Sequence, residues 1–233
     1  MKDFSNLEER IGINFKNRDL LAQALCHRSY LNENPNFYLG HNERLEFLGD
    51  AVLELVVTES LYIQYPKKTE GELTSWRAAL VNTKILFEVS KKLGLSEFLL
   101  LSKGESKSAG RTKQSILANT FEALIGAIYL DGGYDLCKKF TESHLMPRLT
   151  EIIKLGLFKD AKSKLQEESQ SRESITPCYK VLEEWGPDHK KTFRVGVFIG
   201  DDLIAEGKGL SKQEGEEEAA KNALIVKRWH NNN

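Results

Sequence analysis

Apolar residues recur with two different spacings along the chain. Up to about residue 155 they return every three or four positions, which places them on one face of successive α-helices. Three segments after residue 178 instead alternate apolar and polar residues, as half-buried β-strands do, and a helical pattern stands on either side of them. The pattern predicts an all-α domain followed by an α+β domain with the element order α-β-β-β-α.

Capping and turn residues set the predicted ends of the helices in the first domain. Asn17 is placed to cap a helix, Thr69 and Glu72 have the spacing of a capping box, and Gly94 follows a helix as its C′ residue. Two segments rich in turn formers, 31–41 and 102–114, are predicted to be loops. The predicted helices span residues 6–10, 18–29, 41–65, 69–92, 114–130 and 134–154, the last interrupted near Pro147.

The second domain is predicted to follow a short linker, so that the two domains span residues 1–155 and 159–229. Its last helix carries small and aliphatic residues that we expect to face inward. These are Ala219, Ala220, Ala223, Leu224 and Val226. The predicted elements are a helix at 160–169, strands at 179–183, 192–199 and 203–209, and a helix at 212–228.

Composition places the chain among ordinary soluble globular proteins. Its 233 residues are 40% hydrophobic and 29% charged. The N-terminus lacks the apolar stretch of a signal peptide and no uncharged apolar run reaches membrane-spanning length, so we expect a cytoplasmic protein that does not enter a membrane. The three cysteines, Cys26, Cys137 and Cys178, are far apart and form no CxxC pair, which indicates neither a disulfide framework nor a zinc site.

The charge balance does not point to a function. The formal net charge is −1, whereas a nucleic-acid-binding protein usually carries an excess of basic residues. Any basic surface must therefore be local, and the function has to be inferred from motifs.

The most informative motif is the decapeptide HNERLEFLGD at residues 41–50. On a helix Glu46 and Asp50 share one face, while Leu45, Leu48, Val52 and Leu55 follow the apolar stripe. Two carboxylates at this spacing repel each other, and burial is costly for them unless a positive charge lies between them. A divalent cation would supply that charge. The alternative is that both residues lie on a solvated face of an amphipathic helix.

The decapeptide closely resembles the signature of the ribonuclease III family, whose members cut double-stranded RNA with Mg²⁺. The resemblance extends through residues 70–74, 77–81 and 115–126 and covers nearly the full length. It implies an all-α nuclease domain joined to a double-stranded RNA-binding domain. It also implies an endoribonuclease of RNA processing that uses Mg²⁺, with Mn²⁺ as a substitute, and leaves 5′-phosphate and 3′-hydroxyl ends.

The resemblance also implies a set of metal ligands, namely Glu46, Asp50, Asn119 and Glu122, of which Asp50 and Glu122 are the catalytic residues. The family usually has Asp at position 119, whereas this chain has Asn. An amide oxygen can still bind Mg²⁺ but carries no charge, so we expect weaker metal binding. The alternative function is a weakened or inactive double-stranded RNA-binding protein that retains the nuclease fold.

Three further residues of the first domain are candidates for supporting roles. Glu43 and Glu70 match acidic positions of the family, although a place near a helix N-terminus would be reason enough for either. A homodimer is expected, because one cleft would cut only one strand of a duplex. Phe47 is the residue that we expect at the dimer interface, and its alternative role is packing within the core.

The second domain resembles a double-stranded RNA-binding domain. A-form RNA is recognised by shape, through a helix and a loop that reach successive grooves. Gln213 replaces a common second lysine and several glutamates follow it, so modest RNA affinity is expected. The candidate RNA contacts are Lys164, Gln166 and Gln170 on the first helix, His189, Lys190 and Lys191 in the loop at 186–191, and Lys212 on the last helix.

Overall fold

The computed structural model describes residues 3–107, 109–155, 161–187 and 191–229. These residues form two compact units, and the boundary between the units falls between residues 158 and 159. The first unit is all helical, as predicted. Its helices are α1 (Ser5–Ile11), α2 (Arg18–Ala24), α3 (Arg28–Glu33), α4 (Glu43–Gln64), α5 (Glu70–Leu80), α6 (Thr83–Lys92), α7 (Arg111–His144) and α8 (Pro147–Leu155), with short 3-10 helices at Leu95–Glu97 and Glu105–Lys107.

Helices α4 and α7 form the centre of the first unit and touch at their backbones. A Cβ atom on Gly49 would lie 1.7 Å from the carbonyl oxygen of Glu122, and one on Gly126 would lie 2.3 Å from that of Leu45. Only glycine therefore permits this crossing. Fully buried aliphatic and aromatic residues surround it, among them Leu53, Val56, Val57, Phe121, Leu124 and Ile125.

Two predicted helices are each divided into two. The predicted helix 18–29 ends at Ala24, because Cys26 forms a parallel bridge with Leu100 and His27 then caps α3. The predicted helix 69–92 breaks after Leu80, where the Asn82 side chain caps α6 by accepting a hydrogen bond from the Ile85 amide. The capping box of Thr69 and Glu72 is confirmed.

Helix α7 is longer than predicted. It begins at Arg111, inside the predicted loop, and continues through the segment 131–133 where we predicted a stop. Gly133 has φ 76° and ψ −175°, so the helix is kinked there and resumes beyond it. The two predicted helices at 114–130 and 134–154 are thus one kinked helix followed by α8.

The second unit has the predicted order of elements, with a three-stranded antiparallel sheet in which β2 is central. Both helices pack against one face of the sheet, around Leu165, Val197 and Leu224. Val226, expected to face inward, is 62% exposed because α10 ends there. The elements are α9 (Ala161–Glu173), β1 (Cys178–Trp185), β2 (Thr192–Ile199), β3 (Asp202–Gly209) and α10 (Lys212–Val226).

Across the described residues, every helix is too short or too polar to cross a membrane.

Candidate active site

The glycine crossing of α4 and α7 brings the four candidate metal ligands together. Glu46 and Asp50 lie one turn apart on α4, and Asn119 and Glu122 lie one turn apart on the facing stretch of α7. The amide of Asn119 forms a hydrogen bond with the Glu46 carboxylate, and the charge on Glu122 interacts with those on Asp50 and Glu46. The two pairs therefore face each other.

Burial and mutual repulsion make negative charge costly in this site. Partial burial, and then repulsion from Asp50 and Glu46, raise the pKa of Glu122 to about 7. Partial burial also raises the pKa of Glu46, an effect that the hydrogen bond from Asn119 partly offsets. A cation bound among these side chains would relieve both effects.

The residue types at this crossing fit a hard divalent cation. Three carboxylates and one amide oxygen are the kind of donors that Mg²⁺ prefers. As the side chains stand, no three His, Cys, Asp or Glu residues in the described ranges converge into a closed metal-binding group. The candidate set is thus a loose one, in which the fourth donor is the amide of Asn119.

The two supporting carboxylates lie elsewhere. Glu43 is exposed at the start of α4, where its carboxylate forms an ion pair with Arg28 at 3.5 Å and lies 3.7 Å from Nδ1 of His41. Glu70, at the start of α5, lines a cavity of about 670 Å³ together with Tyr62 and Arg77. None of the four candidate ligands lines this cavity.

One face of α4 presents apolar side chains to solvent. Phe47 is 82% exposed, so its alternative role as a core residue is wrong. Leu55, predicted on the buried stripe, is 57% exposed, and Tyr62 is 73% exposed. With Ala51 and Thr58, both also exposed, these residues follow one helical face, which we call the α4 stripe.

Comparisons with known proteins show which family this chain resembles. Residues 17–149 match the family model described as Ribonuclease-III-like, and residues 161–226 match the double-stranded RNA binding motif. Ribonuclease 3 of Bdellovibrio bacteriovorus is 45% identical over 223 residues, covering 95% of each chain. Ribonuclease 3 of Nitratiruptor is 43% identical over 231 residues, covering 99% of this chain and 100% of that protein.

The chain belongs to the ribonuclease III family. A solved structure agrees with this assignment. The nuclease domain of ribonuclease III from Campylobacter jejuni, described as flexible in a region involved in dimer formation, superposes with a TM-score of 0.55 at 41% identity. The matched region covers 64% of this chain and 96% of that domain.

In this ribonuclease III family member, four of the candidate RNA contacts lie on the two helices of the second unit. Gln166 and Gln170 are exposed on α9, and Lys164 is half-buried there. Lys212 begins α10, where its ammonium lies 6.0 Å from the centre of the Phe193 ring. Lys191 forms an ion pair with Glu184 at 3.0 Å, while His189 and Lys190 lie outside the described residues.

The glutamates of α10 mostly form bonds within the second unit. Glu214 accepts a hydrogen bond from the Leu210 amide, Glu216 forms an ion pair with Lys162, and Glu217 accepts from the Ala161 amide. Their charges are thus partly satisfied by the fold. This reduces the repulsion that they would exert on a phosphate.

Sequence reasoning missed the two glycines of the helix crossing and the cavity beside Glu70. Gly49 stands inside the signature, and a glycine within an apolar helical pattern is a signal of close helix approach. The cavity carried no such signal, because its lining residues come from α4, α5 and the turn between them.

Proposed function

We propose that this protein is a Mg²⁺-dependent endoribonuclease that hydrolyses double-stranded RNA and leaves 5′-phosphate and 3′-hydroxyl ends. Its family membership makes it an endoribonuclease acting on double-stranded RNA, with a role in RNA processing. The ion, its ligands and the chemistry of the ends are the proposal. The observation that carries it is the convergence of two α4 carboxylates with Asn119 and Glu122 across the glycine crossing.

Each side chain of the site has a separate task in this proposal. Glu46, Asp50, Asn119 and Glu122 would hold Mg²⁺, which when bound activates water and stabilises the charge of the leaving oxygen. Glu122 must lose its proton before it can serve as a ligand, since its pKa is about 7. Asn119 donates its amide hydrogen to Glu46 and so orients that carboxylate.

We further propose that two copies pair through the α4 stripe. Leu55 is midway between Phe47 and Tyr62, so two antiparallel α4 helices that cross near Leu55 would set Phe47 of one subunit against Tyr62 of the other. Tyr62 and Glu70 line the same cavity. The pairing would therefore seat each Phe47 ring at the partner's cavity and bring Glu70 of the partner subunit towards Asp50.

The second unit supplies RNA affinity without chemistry in this proposal. The boundaries of the two domains, 1–155 and 159–229, are part of it. The helical face with Lys164, Gln166, Gln170 and Lys212 would contact the duplex, and the loop at 186–191 would reach the next groove. Support comes from the match of residues 161–226 to the double-stranded RNA binding motif.

Labelled duplex RNA incubated with and without Mg²⁺ tests the proposal. The parent protein should cut it only with Mg²⁺, and Glu122→Gln should abolish cleavage while RNA binding remains, because a neutral amide replaces a charged ligand. Glu9→Gln is a matched control, since Glu9 is exposed on α1, outside the two helices that carry the candidate ligands. Binding by the parent protein without any Mg²⁺-dependent cleavage would favour the binding-only alternative.

A further inference from the structure

The outer face of the sheet in the second unit carries a tryptophan and a lysine at the same end. Val195, Val197 and Ile199 of β2 are buried under the helices, so the alternate residues Thr192, Arg194 and Phe198 point the other way. Trp185 is the register partner of Thr192, and Lys208 is the partner of Arg194. Both residues therefore lie on the outer face, away from α9 and α10.

Trp185 is exposed, whereas the other two tryptophans are buried. Its exposed fraction is 41%, compared with 3% for Trp76 and 6% for Trp229. The Lys208 ammonium lies 5.8 Å from the centre of the Trp185 ring, across the width of the sheet. Along the described ranges, Lys208 forms no ion pair, so its charge remains available to an anionic ligand.

The carboxylates near Trp185 and Lys208 are bound by other cations. Arg194 binds Glu183 at 3.1 Å and Glu206 at 3.0 Å. Glu184 is bound by Lys191 at 3.0 Å. The end of the face that holds Trp185 thus combines an open aromatic ring with an uncompensated cation.

This pair adjoins the proposed duplex-binding side without being part of it. Residues 186–191 follow Trp185 directly, and β3 ends one residue after Lys208, shortly before Lys212 begins α10. A strand that leaves the duplex at this end of the sheet would pass the ring. An aromatic surface stacks on any base, and a neighbouring lysine meets the phosphate.

We propose that Trp185 and Lys208 form a stacking site for an unpaired nucleotide that adjoins the RNA duplex. The inference rests on the proposed function, since it assumes that α9 and α10 hold the duplex. It extends that function by making the protein sensitive to single-stranded flanks or bulges. The leucines further along the face, Leu182 and Leu203, do not take part in the site.

Two RNAs of the same duplex sequence test the site, one blunt and one with four unpaired adenosines at each 3′ end. Both are titrated into the full-length protein in EDTA, so that affinity is measured without cleavage. The extended RNA should bind about fivefold more tightly or better, in line with the contribution of one stacked base. It should also quench the fluorescence of the protein, because Trp185 is the exposed tryptophan.

Variants separate the site from general RNA binding. Trp185→Ala and Lys208→Gln should each lose most of the extra affinity for the extended RNA and leave binding of the blunt duplex unchanged. Trp185→Phe should keep most of that extra affinity but lose the fluorescence quenching. Lys91→Gln, a change at an exposed lysine of α6, is the charge-matched control and should behave as the parent. Circular dichroism shows whether each variant is folded.

Equal affinity of the parent protein for both RNAs would overturn the stacking site, and so would a gain that survives in Trp185→Ala. Either result would leave the proposed function intact as long as the blunt duplex still binds. Failure to bind the blunt duplex at all would overturn the proposed function together with the inference. The extended RNA could bind more tightly through Leu182 and Leu203 and not through Trp185. This result would overturn the proposed site, because the contact would then lie elsewhere on the outer face.

Discussion

Asn119 leaves the candidate metal site with one negative charge fewer than an Asp at this position would give it. Where the family usually has Asp, this chain has a neutral amide that hydrogen-bonds to Glu46. An added carboxylate there would face three others, with no cation to offset the repulsion. We therefore expect Asn119 to favour the metal-free protein at the expense of metal affinity.

We predict that Asn119→Asp lowers the Mg²⁺ concentration needed for half-maximal cleavage and alters the single-turnover rate at saturating Mg²⁺ less. The amide oxygen already supplies the geometry, so the substitution mainly adds charge. A magnesium titration of cleavage measures both quantities. An unchanged Mg²⁺ dependence would show that residue 119 does not touch the metal.

The raised pKa of Glu122 predicts a pH dependence of stability. Because its folded-state pKa of about 7 exceeds the ordinary value of 4.5, the folded protein holds this proton more tightly than the unfolded chain. Without metal, stability should therefore fall as pH rises from about 4.5 to about 7, by about 1–2 kcal/mol once solvent screening of this partly exposed group is allowed for.

Glu122→Gln should remove this loss, so that the variant is more stable than the parent at pH 8 in EDTA and not at pH 4.5. Urea denaturation at both values measures the difference. If the parent and the variant show the same pH dependence, Glu122 is not the group responsible.

At the scale of elements, the contact of α4 with α7 determines both the fold and the site. Gly49→Ala should cost about 3 kcal/mol or more and impair cleavage, since the new methyl group would displace the backbone of Glu122. Gly71→Ala is a matched control, because Gly71 is also helical and has nothing within 4 Å of its Cβ position. It should be neutral or slightly stabilising. Equal losses in the two variants would contradict the role of the crossing.

At the scale of the whole molecule, the α4 stripe predicts a dimer. Phe47→Lys should shift the protein from dimer to monomer at micromolar concentration, and duplex RNA should be nicked in one strand where the parent cuts both. Sedimentation velocity and a denaturing gel measure the two effects. Leu130→Lys changes another exposed apolar residue, 54% exposed on α7, and should leave the dimer intact. A parent protein that sediments as a monomer would contradict the pairing.

The division into two units predicts how cleavage depends on salt. Residues 1–155 alone should retain Mg²⁺-dependent cleavage at low ionic strength, because the first unit has its own hydrophobic core. Loss of the second unit should weaken RNA binding, so that cleavage is lost at a lower salt concentration than in the full chain. A fragment that is folded and inert at every salt concentration would contradict the division of labour.

The sequence by itself determined the features that depend on neighbours along the chain. The capping box at Thr69, the N-cap at Asn17 and the order of the three strands followed from local patterns. The shared face of Glu46 and Asp50 follows from helix geometry alone. These features need no distant contact, so they can be read from spacing and residue type.

Only the tertiary structure decided what depends on contacts between distant residues. The helix predicted to reach Ser29 ends at Ala24, because Cys26 pairs with Leu100, far along the chain. Leu55 is exposed, because α4 has a second apolar face that no helix in the described part of the chain covers. The periodicity of the sequence does not say which of the two faces is buried. The raised pKa of Glu122 likewise arises where α4 and α7 meet, since burial and the carboxylates of another helix are its causes.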